Sequence, residues 1–155
     1  MSRIYSFDTS SFMAARIRMY PPDLFPTLWE RVEEIVAGGR IVTPDEVVTE
    51  LAKMDDDVAK WAKRHKAAMV VPITLDIMTA MTDILSRHAR LMGKGGNRNG
   101  ADPWVIALAK VRGAVVVTEE QPGGGAKVKI PDVCKAENID CTSVLGVIRA
   151  EGWTF

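Results

Sequence analysis

Arg3-Ile4-Tyr5-Ser6-Phe7-Asp8-Thr9-Ser10-Ser11 is the stretch whose reading decides the fold. Ile4 to Phe7 combine β-branched and aromatic residues in a run short enough for a buried strand. Asp8 follows at once, and three hydroxyl residues after it are suited to opening a helix. A carboxylate at the carboxyl end of a first strand lies where open α/β sheets bind ligands. The same residue serves equally well as the N-cap of the helix that follows.

Working outward, Ser11 to Met19 suits a short helix stopped by Pro21-Pro22, and Asp23 is expected to cap a second helix running to Ala37 before Gly38-Gly39. Arg40-Ile41-Val42 reads as the second strand. Thr43-Pro44-Asp45-Glu46 after it has the spacing of a capping box, with Thr43 at N-cap and Glu46 at N3. That helix carries Val47, Val48, Leu51 and Met54, and another runs through Val58, Trp61 and Ala62. Met69 to Ile73 is either a strand or a connection, with Pro72 against a central strand. Apolar residues recur at helical spacing from Thr74 to Leu91, and residues 93–100 form a glycine-rich loop. Asp102-Pro103 opens a helix that Gly113 ends. Ala114 to Thr118 is the strongest strand signal, apolar throughout as in a strand covered on both faces. A glycine-rich turn from Gln121 to Ala126, a short strand Val128-Lys129-Ile130, a helix from Pro131 and a last helix from Thr142 to Glu151 complete the chain. Strands alternating with helices predict a single α/β domain over residues 1–155 with a mainly parallel central sheet.

Composition excludes several classes. Among 155 residues, 20 Lys and Arg balance 20 Asp and Glu, so overall charge draws the chain neither to nucleic acid nor to a membrane. Cys134 and Cys141 are too few for a zinc site or a disulfide framework, which suits a reducing cytoplasm. No signal peptide is expected, and no apolar run approaches the roughly 18 residues of a membrane span.

Four acids fall at element edges: Asp8, Glu50, Asp102, and the pair Glu119-Glu120 after the strongest strand. Each also has a plainer reading. Asp102 before Pro103 looks like an N-cap, Glu50 like an exposed helical Glu, and Glu119-Glu120 like a solvated loop. Glu46 is assigned to its capping box and Asp55-Asp56-Asp57 to a solvated run. The combination points further, because parallel topology returns Asp8 and the end of Val115–Thr118 to one rim, where helix starts also lie. Four carboxylates in one cleft repel one another unless a divalent cation sits among them, and an oxygen-only set suits Mg²⁺ or Mn²⁺.

The ordered pieces Tyr5-Ser6-Phe7-Asp8-Thr9-Ser10, Ile41-Val42-Thr43-Pro44 running to Glu50-Leu51, Ala101-Asp102-Pro103-Trp104 to Ala109, and Val116-Val117-Thr118-Glu119-Glu120 resemble the PIN-domain family. That family includes VapC-type toxins and other metal-dependent ribonucleases. The resemblance implies a three-layer α/β/α fold in which Asp8, Glu50, Asp102 and Glu120 are both catalytic residues and ligands to Mg²⁺ or Mn²⁺. The fourth position is normally Asp, so Glu120 departs from the pattern by one methylene and Glu119 competes for the role. Thr9, Ser10, Thr118, Lys94 and Arg98 are then expected to orient the acids or contact substrate phosphate. The implied activity is endonucleolytic hydrolysis of RNA by a cytoplasmic toxin held by a cognate antitoxin, with a homodimer as the assembly. A PIN-like scaffold that binds RNA or protein without cutting is the alternative.

Other chemistries fit less well. Neither Gly93-Lys94-Gly95 nor Gly123 to Lys127 has phosphate-loop spacing, and His65 and His88 stand alone. A haloacid-dehalogenase-like phosphotransferase needs a second Asp where Ser10 stands. Trp29, Trp61, Met78 and Met81 are expected in the core.

Overall fold

The computed structural model describes residues 2–92, 100–123 and 128–155. Lys94, Arg98 and Lys127, with most of the two glycine-rich loops, lie outside these residues. The described chain runs β1 (Tyr5–Phe7), α1 (Thr9–Met13), a π-helical segment (Ala14–Met19), α2 (Pro26–Ala37), β2 (Ile41–Val42), α3 (Asp45–Leu51), α4 (Asp56–Met69) and α5 (Leu75–Arg87). A 3₁₀ turn (Ala89–Met92), α6 (Asp102–Arg112), β3 (Val115–Val117), α7 (Ile130–Glu137), β4 (Cys141–Thr142) and α8 (Val144–Glu151) follow.

The sheet is parallel throughout, in the order β2-β1-β3-β4. Tyr5 registers with Ile41 on one side and Val115 on the other. The chain leaves β1 toward β2 and re-enters on the opposite side at β3, so strand order reverses between β1 and β3. A crevice opens at such a reversal, outside the carboxyl ends of the strands.

Alternation along β1 separates the layers. Tyr5 and Phe7 face one side, where Phe7 packs with Phe12 at a ring-centroid separation of 5.0 Å and Tyr5 Oη donates to Glu151 on α8 at 2.6 Å. Ser6 faces the other side, and its Oγ donates to the Val105 carbonyl of α6 at 2.9 Å. Helices therefore cover both faces of the sheet, the three-layer α/β/α arrangement expected of a PIN-like fold. Leu51, Trp61, Ile84, Ile106 and Leu108 are fully or almost fully buried. Each such aliphatic side chain contributes about 1.5–3 kcal/mol relative to exposure. Trp61 on α4 also contacts Phe12 and Trp29, and the Arg16 guanidinium lies over Trp29 at 4.7 Å and Trp61 at 5.4 Å.

Several local expectations are corrected. Thr43 does not cap α3, because its hydroxyl donates to the Phe7 carbonyl at 2.9 Å, and Pro44 stands at the N-cap without a side-chain bond. Asp23 caps nothing, since α2 begins at Pro26 with Phe25 before it. Asp55 is no solvated residue of a run: it caps α4 by accepting from Asp57 N and Val58 N, while Asp57 binds Arg16 Nε at 2.7 Å. Val128 to Ile130 form no strand, because Ile130 begins α7 and is fully buried. The fourth strand is instead Cys141–Thr142, at the expected start of the last helix, which begins only after the N-cap Ser143. Met78 is 48% exposed on α5 and so lies outside the core.

Candidate active site

Asp8 sits directly past β1 and is 1% exposed. Its amide stays in the sheet, donating to the Val117 carbonyl at 3.1 Å. Both carboxyl oxygens are held. Oδ1 accepts from Ser11 N at 2.8 Å and Ser10 Oγ at 2.9 Å, and Oδ2 from Thr118 Oγ1 at 2.5 Å. Asp8 thus caps α1 from the carboxyl end of β1, at the point where strand order reverses. Burial pushes its carboxyl above the ordinary value, against the opposing pull of the bonds from Thr118 and Ser11.

Thr118 and Ser10 tie this carboxylate to the strand-end acids. Thr118 Oγ1 accepts from Glu120 N at 3.0 Å, and Ser10 Oγ accepts from Glu119 N at 3.1 Å. The two side chains then diverge. Glu119 Oε2 accepts from Val144 N at 2.8 Å, at the start of α8. Glu120 turns toward Asp102, and the charge of each carboxyl bears on the other, while Ile130 N donates to Glu120 Oε1 at 3.4 Å. Geometry therefore brings Glu120, and not Glu119, to the other acids.

Asp102 is the first residue of α6, preceded by Ala101 at the N-cap, and no side-chain cap bond forms there. The capping role that its sequence suggests is absent. Its carboxyl is pushed up to about 8, first by burial and then by the charges of Glu120, Asp8 and Glu50, with Lys129 pulling the other way. Glu120 is raised too, first by burial and also by Asp8, with Lys129 lowering it. Both carboxyls therefore favour the protonated form more than an ordinary carboxyl does. Glu50 arrives from α3 and accepts from Thr9 Oγ1 at 2.5 Å. Asp8, Glu50, Asp102 and Glu120 thus converge from four separate elements on one end of the sheet.

The expected phosphate-binding hydroxyls are otherwise engaged. Thr9 donates to Glu50, and Ser10 and Thr118 donate to Asp8, so all three position carboxylates. Two residues near the cluster escape the sequence reading. Ser11 Oγ anchors α1 to the Val117 carbonyl at 2.8 Å. Glu46, freed of its capping box, is half-buried one turn before Glu50, and its Oε1 is buried without a hydrogen-bond partner. Burial, then Asp45 and Glu50, raise its carboxyl. A half-buried Glu with no capping partner reveals itself only once Thr43 is seen to turn toward Phe7.

The donor chemistry fits a hard divalent cation: oxygen ligands alone, several sharing one acidic environment. Among the described residues, no three His, Cys, Asp or Glu side chains are already arranged to hold one. The residues that would hold a cation are Asp8, Glu50, Asp102 and Glu120.

A four-stranded parallel sheet with carboxyls gathered at its strand-order reversal defines an α/β domain with an acidic crevice. The chain belongs to the family described as Domain of unknown function (DUF4411), whose model matches residues 5–155. No curated protein matches the chain. Among the described residues, no helix is long and apolar enough to cross a membrane.

Proposed function

We propose that this protein is a Mg²⁺- or Mn²⁺-dependent endoribonuclease of PIN type that hydrolyses RNA phosphodiester bonds. The observation that carries the reading is Asp102. It begins a helix it does not cap, and its carboxyl is pushed up to about 8 with Glu120, Asp8 and Glu50 among the causes. Buried like charges gathered at one end of a parallel sheet suit a site built for a positive ligand.

A bound divalent ion supplies Lewis-acid activation of water and neutralises charge on the leaving oxygen. The chain's own residues set the geometry. Thr118, Ser10 and the Ser11 amide fix both oxygens of Asp8, so its orientation is settled before substrate arrives. Thr9 fixes Glu50 in the same way. Asp102 and Glu120 would hold the ion in their ionised forms, and Lys129 tempers the charge around both.

The family resemblance extends the proposal to a toxin restrained by a cognate antitoxin, acting in the cytoplasm as a homodimer. A binding scaffold without cleavage is the competing reading, favoured by Glu in place of Asp at position 120. Induced expression of wild type beside Asp8→Asn separates the two, scored by growth and by integrity of total RNA. The nuclease reading expects growth arrest and RNA cutting that vanish in the variant. Equal behaviour of both chains contradicts it.

A further inference from the structure

Glu119 stays apart from the four converging acids, yet it is the junction of the turn that follows β3. Its amide donates to Ser10 Oγ at 3.1 Å, and the same hydroxyl donates to the Asp8 carboxylate at 2.9 Å. Its side chain, half-buried, runs the other way, and Oε2 accepts from Val144 N at 2.8 Å. The next residue is Glu120, held by its amide on Thr118 Oγ1 at 3.0 Å and by Ile130 N on its Oε1 at 3.4 Å.

Val144 is the first residue of α8, where a helix leaves its amides without partners inside the helix. Ser143 at the N-cap serves Gly146 N, and the Glu119 carboxylate, arriving from beside the neighbouring strand, serves Val144 N. The positive end of the helix dipole favours a carboxylate there. The start of α8 is itself a firm anchor. A Cβ on Gly146 would strike Thr142 Oγ1, so the first turn lies close against β4, and Thr142 O accepts from Thr118 N at 3.0 Å. The far end of α8 is tied by Glu151 to Tyr5 and Arg40.

We propose that Glu119 is a positioning residue of the acidic crevice: its carboxylate, seated on the first amide of α8, fixes the turn that carries Glu120 and holds Ser10 against Asp8. The inference rests on the reading of the crevice as a divalent-cation site and divides the work between two neighbouring acids. Glu120 supplies a ligand, and Glu119 supplies its aim. Thr118 N still pairs with β4, but beyond it the chain leaves the sheet, and the Glu119 side chain ties it to a helix instead. A group that orients a metal ligand from behind acts on metal affinity without touching the ion.

The bond can be cut from either side. Glu119→Ala removes the acceptor, and Glu119→Gln keeps an oxygen in its place. Val144→Pro removes the donor without touching Glu119. Proline suits the first position of a helix, and Ser143 before it is already extended at φ −103° and ψ 174°.

The test titrates Mn²⁺ into metal-free wild type, these three variants and the Glu119→Ala/Val144→Pro double variant, with binding read by calorimetry. Glu119→Ala and Val144→Pro should each weaken Mn²⁺ binding on the order of tenfold, and Glu119→Gln should retain most of the wild-type affinity. The double variant should bind no more weakly than either single one, because both remove the same bond. Wild-type affinity in Glu119→Ala overturns the proposal, even if urea denaturation shows a loss of stability, and so does a loss in Glu119→Gln as large as in Glu119→Ala. If Val144→Pro does not fold, the contrast between the Ala and Gln variants decides. A wild type that binds no Mn²⁺ contradicts the metal reading instead, and amide exchange in the metal-free protein then decides the positioning. The Glu120 amide should lose protection in Glu119→Ala while the amides of α6 keep theirs, and unchanged protection at Glu120 overturns the proposal.

Discussion

Thr118 Oγ1 donates to Asp8 Oδ2 at 2.5 Å, joining residues 110 positions apart across the point where strand order reverses. The same oxygen accepts from Glu120 N, so one hydroxyl sets the aim of the first acid and the backbone carrying the fourth. Replacing it should disturb both. Thr118→Val keeps the shape and removes the hydroxyl, leaving the Glu120 amide without its acceptor. The expected cost is about 1–3 kcal/mol in urea denaturation, together with loss of metal-dependent cleavage. Thr118→Ser should restore most of both.

Stability without metal should fall as pH rises. Asp102 is raised from 3.8 to about 8 in the folded protein, so between those values the folded state binds a proton that the unfolded chain has released. Stability tied to that proton is full below the unfolded value and lost as pH rises through the folded one. Each unit of the raise corresponds to about 1.4 kcal/mol. Denaturation with a chelator present should show this decline from about pH 4 to 8, and Asp102→Asn should flatten it. Mg²⁺ or Mn²⁺ should reverse the decline in wild type and not in the variant.

At the amino ends of the strands, Glu151 accepts from Tyr5 Oη at 2.6 Å and from both terminal nitrogens of Arg40 at 2.9 and 2.6 Å. This network ties α8 to β1 and to the entry of β2. The bond from Arg40, first, holds the Glu151 carboxyl below its ordinary value. Its contribution is therefore present above the unfolded value and lost as pH falls through the folded one. Glu151→Gln should cost about 1–3 kcal/mol at neutral pH and remove part of the acid sensitivity, measured by thermal melts across pH.

A carboxylate clamp of the same kind fixes α7. Glu137 binds Arg87 Nη2 at 2.7 Å, His88 Nε2 at 2.8 Å and Lys110 Nζ at 2.9 Å, joining α5, α6 and α7. Arg87 and Lys110 are partly exposed, so the network is open to salt screening. Glu137→Gln should lower stability by about 1 kcal/mol at low salt, with the difference from wild type shrinking in high salt.

What was legible in the sequence is what local pattern governs. Val115 to Val117 is apolar and β-branched throughout, and Tyr5 to Phe7 ends in a polar run, so both central strands and the meeting of Asp8 with Thr118 could be read directly. Cys141–Thr142 was not legible, because a two-residue edge strand is too short to carry a period. The capping box at Thr43 failed because a tertiary acceptor, the Phe7 carbonyl, claimed the hydroxyl that local spacing had assigned to the helix. Asp102 failed as a cap in the opposite sense: Asp before Pro reads as a cap, yet Ala101 holds that position. Choosing between Glu119 and Glu120 needed the position of α8, whose Val144 amide takes the first of them.

The most direct test of the acidic crevice is cleavage of a labelled single-stranded RNA by purified protein as Mg²⁺ or Mn²⁺ is titrated, comparing wild type, Asp8→Asn and Asp102→Asn. Internal cuts that require the divalent ion and slow on the order of 10²-fold or more in both variants are the predicted result. Cleavage that persists in the variants, or wild-type protein that cuts nothing at any metal concentration, would contradict it.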